Sequence, residues 1–328
     1  MQSTNLKEIF FSLKTKIKNF NKSYGRIFWV LIFIILFFIL IYIYENIFSS
    51  QDLQITFFDI GQGDAALIKT PGRENILIDA GPNNLILKKL EDSLSIFDRN
   101  IDLAILSHPD ADHVAGYISI FQNYKVKNIL ENGDETKESE IYQEIKKSIQ
   151  KEKDEYDTKE YFANCGDEIS FPGKRDEKLK IYIIHPMKNN LVINDTNDNS
   201  IVALVTFDQY GFLFTGDASQ DVEKKIFFEI ENCFNKNDSE SIKKYFKDLT
   251  VLKVSHHGSK SGSSEDFIRK ISPEYSIISA GKNNRYGHPN DEVLKILEKY
   301  SKNILNTIND GDITFVTDGK NLIIKKSR

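Results

Sequence analysis

The sequence predicts a layered α/β domain preceded by a single transmembrane helix. Three observations predict it. Residues 27–44 form an uncharged apolar run with no Pro or Gly. Beyond it, short apolar segments of strand length alternate with amphipathic segments of helix length, the pattern of sheets covered by helices. Most of the apolar segments end in short polar stretches rich in Gly, Asp and His, where a layered domain carries its chemistry.

The eighteen residues 27–44 (IFWVLIFIILFFILIYIY) rise ~27 Å as a helix, close to the hydrocarbon thickness of a bilayer. Trp29 lies at one end, Tyr42 and Tyr44 at the other, as expected of interfacial aromatics. The following ENIFSSQD has no small-x-small cleavage site, so the segment reads as an uncleaved anchor rather than a signal peptide. Residues 1–26 form a basic arm with Lys7, Lys14, Lys16, Lys18, Lys22 and Arg26 against the acid Glu8, whereas Glu45 and Asp52 flank the other side. The positive-inside rule then puts the arm in the cytoplasm and residues 51–328 outside the cell. The expected location is the cell membrane, crossed once, with the lipid bilayer as partner. No feature calls for an obligate protein partner.

The remaining chain is long enough for one domain with a full core. A net charge of −5 over 328 residues does not mark a nucleic-acid binder by charge. It leaves a nuclease open, since metal ions supply a local positive field. Cys165 and Cys233 share no short spacing and no neighbouring ligands, and read as independent thiols, with a disulfide between them left open by the sequence.

Residues 53–58 read as a first strand, DIGQGD (59–64) as a glycine turn, AALIKT (65–70) as a second strand and Pro71-Gly72 as a hairpin turn. NILIDAG (75–81) is a third strand, 85–98 a helix, and IDLAILS (101–107) a buried strand. The charged stretch 134–160, with Ile141, Ile145 and Ile149 at helical spacing, is a solvated outer helix. Strands follow at KIYIIHP and SIVALVTF, a turn at 209–211 and a strand in FLFTGD. Residues 219–247 are helical with a break near Asn235. TVLKVSHHGS is a strand ending in histidines, 264–271 a helix, YSIISAG a strand, 290–300 a helix, and ITFVTDGKNLIIKK a closing hairpin.

Five of the six histidines fall at element ends in polar motifs. His108-Pro109-Asp110-Ala111-Asp112-His113 places four metal-ligand types in six residues directly after a buried strand. A loop at a strand end can aim several such side chains at one point, and ions such as zinc need carboxylates and imidazoles within ~2.0–2.2 Å. Asp217 ends an apolar run, His256 and His257 end another, and His288 lies in Asn284-Arg285-Tyr286-Gly287-His288-Pro289. His185, in IIHP, reads as structural.

Taken together and in order, DIGQGD, LIDAG, SHPDADH with Gly116, NDNS before a strand, FLFTGD, VSHHGS, NRYGHP and the closing hairpin resemble the metallo-β-lactamase superfamily. Within it they closely resemble the hydrolase domain of ComEC-type DNA-uptake proteins, from about Leu53 to Ile324. The resemblance implies an αβ/βα four-layer sandwich with the metal site at one edge of two facing sheets. It implies His108 and Asp110 at a first metal position, Asp112 and His113 at a second, and Asp217 bridging them. His256, first after its strand, is assigned to the second position, with His257 as the alternative. Asp79 matches an acid that supports the ligand loop from behind. Asp110 stands where a second histidine is usual, and NDNS replaces a further histidine, leaving Asn197 or Asn199 near the first position. The ComEC-type relatives share these departures. One or two divalent ions are implied, zinc first and manganese as the alternative that oxygen ligands favour.

The implied activity is hydrolysis by a metal-activated water, most simply of a phosphodiester, with single-stranded DNA the leading substrate. Asp112 would orient the nucleophile, and His288 would donate a proton or hold a phosphate oxygen, with Arg285 second for that task. Ser259, Ser261, Ser263 and Ser264 would bind an anion near the next helix start. The uptake channel's many helices have no counterpart here, so a channel role is not expected. Two alternatives remain: a non-catalytic, membrane-tethered binding protein that keeps the fold, and a lactonase-like hydrolase acting at carbon.

Overall fold

Period-two burial in the strands builds the domain. In Leu53–Phe57 the alternate residues Leu53, Ile55 and Phe57 are buried, and in Val202–Phe207 the residues Ala203, Val205 and Phe207 join them in the same core. Side chains of a strand alternate between its faces, so Val202 and Leu204 are sent to the opposite side. The computed structural model describes residues 6–48, 52–134, 139–172, 178–187, 191–192 and 195–328.

The chain divides into two units, Met1–Ser50 and Gln51–Arg328. The first is one helix, Leu6–Phe48. Its stretch Gly25–Ile43 has a mean hydropathy of 2.9 and is long and apolar enough to cross a membrane. It fits a single-pass anchor, because a helix satisfies every backbone polar group internally, as lipid requires.

In the second unit the described strands form two large sheets and one short parallel pair, Asn100–Ile101 with Lys125–Val126. The order in the first is Leu322–Lys326, Ile313–Thr317, Leu53–Phe57, Ala65–Lys69, Asn75–Ala80, Leu103–Leu106, Asn128–Glu131 and Lys159–Phe162. In the second it is Asn303–Asn306, Tyr275–Ile278, Val251–Lys253, Tyr210–Phe214, Val202–Phe207, Lys178–His185 and Glu168–Pro172. One core lies between the sheets, with Phe57 stacked on Phe214 at 5.4 Å. A second core packs the helices Gln220–Cys233, Lys236–Lys247, Glu265–Ile271 and Asp291–Tyr300 on the outer face of the second sheet. A third packs Leu85–Ser93, Gly116–Asn123 and Glu140–Tyr156 on the outer face of the first. The layers are therefore helix, sheet, sheet, helix, the expected four-layer sandwich. Each fully buried Phe, Leu or Ile in these cores contributes ~1.5–3 kcal/mol.

Local chemistry explains where elements start and stop. The expected break near Asn235 is an N-cap: its side-chain oxygen accepts from the backbone N–H groups of Asn237 and Asp238 and starts a new helix. The outer helix begins at Glu140, capped by Ser139, and ends at Tyr156, shorter than 134–160; residues 135–138 lie outside the described residues. The helix expected over 85–98 stops at Ser93, where Leu94 becomes extended and Ser95 turns the chain. The turn expected at 209–211 sits one residue earlier, at 208–209, and Tyr210 already belongs to the next strand. The helices Ala111–Val114 and Gly116–Asn123 and the strands Asn128–Glu131, Lys159–Phe162, Glu168–Pro172 and Asn303–Asn306 carry too little periodicity to have been read from the sequence.

One sequence expectation is overturned. Cys165 and Cys233 are not independent thiols but a disulfide, with Cα atoms 5.7 Å apart across a separation of 68 residues. It ties the segment entering the second sheet to the end of the helix that covers that sheet.

Candidate metal centre

The polar loops meet at the ends of the central strands. After Leu103–Leu106 the chain passes Ser107 and His108 into the turn Ala111–Val114, which carries Asp112 and His113. After Tyr210–Phe214 it reaches Asp217, and after Val251–Lys253 it enters a tight turn at Ser255–Gly258 holding both histidines. The turn of DIGQGD packs on the first of these loops. A Cβ on Gly63 would stand 2.2 Å from the carbonyl oxygen of Asp112, which also accepts the N–H of Asp64 at 3.2 Å. Asp79, His256 and His257 all have left-handed backbones, with φ of 56°, 47° and 55°. Such conformations cost ~1–3 kcal/mol each for non-glycine residues and persist where packing holds them.

Asp64, His113, Asp217 and His257 are all buried, and one ligand atom from each lies within 4.8 Å of the others. Asp79 fixes His113 from behind: its Oδ2 is 2.8 Å from His113 Nδ1 and also accepts from Ser107 Oγ, while Oδ1 accepts from Ser107 N. His113 Nε2 is thereby left facing Asp217 Oδ1 at 3.1 Å. Neither of these two atoms has a hydrogen-bond partner, and neither have the Nε2 atoms of His108 and His257. Buried polar atoms are rarely left unpartnered. Several of them converging on one carboxylate is the arrangement a divalent cation satisfies. Imidazole nitrogens and carboxylate oxygens suit zinc, and the oxygen share suits manganese.

The sequence-predicted residues fall at graded distances from this point. His108 Nε2 is 3.8 Å from Asp217 Oδ2, His256 Nε2 is 3.4 Å from the same oxygen, and His257 Nε2 is 3.8 Å from it and 3.4 Å from Asp112 Oδ2. Both histidines thus approach Asp217, and they differ in burial. His257 is 1% exposed and belongs to the tight cluster, whereas His256 is a quarter exposed and its Nδ1 contacts Ser261 Oγ. Asp110 lies beside the group and accepts from Thr196 Oγ1 at 2.7 Å. Asn199 spends its amide on Asp134, the Val192 carbonyl and the Val192 N–H, while the buried Oδ1 of Asn197 has no hydrogen-bond partner. Of the two asparagines, Asn197 is thus the one with a free ligand atom.

His288 flanks the cluster, its ring 5.6 Å from that of His256, 6.4 Å from that of His257, and stacked on Tyr286 at 5.6 Å. Asn284 holds the loop by accepting from His288 N and donating to its carbonyl. Arg285 is near enough to Asp112 for their charges to interact. His185 has both ring nitrogens engaged, with Glu229 and with the Asp198 carbonyl, in keeping with its structural reading. The serine stretch does not offer its helix start to an anion: the N–H groups of Ser263 and Ser264 donate to the carboxylate of Glu223. Two participants escaped the sequence reading, Asp64 and Lys253. The only sign of Asp64 was its place in DIGQGD, and Lys253 reads as an ordinary strand residue.

The electrostatics are those of a cation site. Burial works against charge on His113, but Asp217 and Asp79 outweigh it and hold its pKa well above the ordinary histidine range. The same contest, decided by Asp217 and Asp64, raises His257 to about 9. Burial opposes ionisation of Asp112 as well, yet the nearby His257 ring and the charge of His113 bring it down to about 2. His108 goes the other way, lowered by burial and by the neighbouring His113 charge. Protons and metal ions compete for the same nitrogens, so a cation bound here displaces protons.

The family model described as the metallo-beta-lactamase superfamily matches residues 58–282, well over half of the chain. The chain is similar to ComE operon protein 3 of Bacillus subtilis (strain 168), 28% identical over 289 residues, which cover 81% of this chain and 33% of that protein. It is similar to Recombination protein 2 of Haemophilus influenzae, 29% identical over 265 residues, 79% of this chain and 28% of the relative. Competence protein ComA of Neisseria gonorrhoeae is 26% identical over 265 residues, 80% of this chain and 32% of the relative. The chain thus spans about a third or less of the length of these curated relatives. Among solved structures, the metallo-beta-lactamase fold protein YhfI from Bacillus subtilis aligns with a TM-score of 0.50 at 13% identity, covering 81% of this chain and 100% of that one, a likeness of fold alone.

Proposed function

The chain belongs to the metallo-beta-lactamase superfamily, and on that premise we propose that it is a membrane-anchored, metal-dependent phosphodiesterase whose leading substrate is single-stranded DNA. The observation that carries the reading is the convergence of unpartnered, buried His113, His257 and Asp217 ligand atoms on one point. His113, His257 and Asp217 would hold the ion, and His108, Asp110, Asp112 and His256 border a second position. When bound, divalent ions supply Lewis acidity and lower the pKa of water from 15.7 toward ~7.

The surrounding residues fit phosphoryl chemistry. Without a cation the centre is crowded with the carboxylates of Asp64, Asp79, Asp110, Asp112 and Asp217, which would repel a phosphodiester. With the carboxylates neutralised, Arg285 and His288 would serve as the donors to phosphate oxygens. Asp112 accepts a hydrogen bond from the attacking water, and His288 donates one to the leaving oxygen. Similarity to competence proteins supports DNA as the substrate. The disulfide supports a domain outside the cytoplasm, because such bonds persist in oxidising compartments. Together with the basic arm it favours the topology 1–26 inside, 27–44 across the membrane and 51–328 outside.

The test is metal analysis of the full chain purified in detergent, followed by assays on bis-p-nitrophenyl phosphate, single-stranded DNA and a lactone. Metal retention with hydrolysis of the phosphodiesters, and not of the lactone, is the expected result. Hydrolysis of the lactone alone would replace this reading with a carbon-centred hydrolase. Metal retention with no hydrolysis of any of the three would favour a binding protein.

A further inference from the structure

Behind His257 lies a buried ion pair that the proposed chemistry does not use. Lys253 ends its strand with 3% of its surface exposed, and Asp64 is 6% exposed. Lys253 Nζ is 2.6 Å from Asp64 Oδ2 and also donates to the Val254 carbonyl at 3.0 Å. The other carboxylate oxygen, Asp64 Oδ1, is 3.1 Å from His257 Nδ1, which also stands 3.0 Å from the Ser279 carbonyl. His257 Nδ1 hydrogen-bonds to the Ser279 carbonyl and has the Asp64 carboxylate beside it as a charge, although Asp64 Oδ1 itself makes no hydrogen bond, and the proton belongs at Nδ1. The lone pair is left to Nε2, the buried and unpartnered atom on the side of Asp112 and Asp217. A cavity of about 20 Å³, lined by Asp64, Lys253, Ser279 and Asp79 among others, adjoins the pair.

Burying an ammonium and a carboxylate costs several kcal/mol per ion unless each is fully engaged, and an apolar pair of similar shape is often no less stable. A pair retained next to a cluster of ligand types is therefore better explained by what it orients. Across the cluster a carboxylate likewise stands behind a histidine, there with a hydrogen bond: Asp79 backs His113 at 2.8 Å. We propose that Asp64 is a positioning residue that fixes the orientation and tautomer of His257, and that Lys253 acts through Asp64 by locking its carboxylate. Asp64 on this account is not itself a metal ligand, although it lies within reach of the other three. The inference rests on the metal-centre reading but not on the identity of the substrate.

The test measures affinity and ion number, not turnover. Wild-type protein, Asp64→Asn, Lys253→Met and the double variant are titrated with Zn²⁺ and Mn²⁺ against a competing chelator, with circular dichroism of the metal-free forms as the folding control. Asp64→Asn is nearly isosteric and carries the test alone if Lys253→Met does not fold. Removing groups that orient metal ligands typically weakens binding ~10–100-fold. Each single variant is expected to lose affinity in that range at an unchanged number of ions at saturation. The double variant is expected to be no weaker than Asp64→Asn, because Lys253 has no separate route to the metal. Unchanged affinity in Asp64→Asn overturns the inference, as does loss of an ion equivalent in that variant, which would make Asp64 a ligand. Fully additive losses in the double variant overturn the claim that Lys253 acts through Asp64. A wild-type chain that retains no ion overturns the metal-centre reading itself, and this inference with it.

Discussion

His113 Nε2 and Asp217 Oδ1 stand 3.1 Å apart in the buried centre, and neither makes a hydrogen bond. Two such atoms side by side are stable when they share a third partner. Asp217 has the larger part in this, since His108, His113, His256 and His257 all approach its two oxygens. Asp217→Ala should therefore lower metal content more than His113→Ala, which removes one nitrogen. Elemental analysis of the purified variants reads this directly. Full metal content in the Asp217 variant would remove it from the ligand set.

His288 borders the cluster without belonging to its tight core, and burial followed by the neighbouring His256 and His257 lowers its pKa. The shift favours the neutral ring, which keeps an N–H to offer a substrate oxygen. General acid–base groups contribute ~10²–10⁴-fold to rate. His288→Ala should lower turnover of bis-p-nitrophenyl phosphate within that range with metal content unchanged. Metal loss in parallel with activity would make it a ligand, and wild-type turnover would leave it a loop-stabilising residue.

Glu223 holds the serine loop by accepting the N–H groups of Ser263 and Ser264, and burial raises its pKa from 4.5 to about 7. The folded state binds this proton more tightly than the unfolded state. Its influence therefore makes the fold more stable at low pH, and that stability is lost as pH rises from about 4.5 through about 7. The whole effect is at most roughly 3 kcal/mol. In Glu223→Gln this contribution disappears. The difference in unfolding free energy between wild type and variant should change by an amount of this order between pH 4.5 and 7. A difference independent of pH would show that Glu223 titrates normally.

The Cys165–Cys233 disulfide closes a loop spanning 68 residues. Loss of such a bond typically costs about 2–4 kcal/mol. Cys165→Ser should lower the denaturation midpoint accordingly, and a reductant should lower the wild type to the same level. Insensitivity of the wild type to reductant would mean that the bond contributes nothing to stability.

The topology has its own check. A periplasmic-type alkaline phosphatase, active only after export, fused after Arg328 should be active in a bacterial host. Activity of a cytoplasmic reporter at the same point would put the domain inside.

The apolar run and the strand-end motifs were legible in the sequence because each is local. A span needs consecutive apolar residues, a strand shows itself by alternation, and Asn235 announces a helix start through its own side chain. The ordered motifs likewise carried the four-layer fold and the loops that would supply ligands. What the sequence could not decide was pairing across distance. Cys165 and Cys233 meet only because the sheet entry and its covering helix are packed together. Which of His256 and His257 is buried depends on how their turn packs against the neighbouring loops, since both have left-handed backbones. Lys253 and Asp64, 189 positions apart by their numbering, form a pair only once the second sheet faces the first. Local periodicity records which face of an element is buried. Only the stacking of the two sheets decides which buried atoms are left without partners, and so where a metal ion would sit.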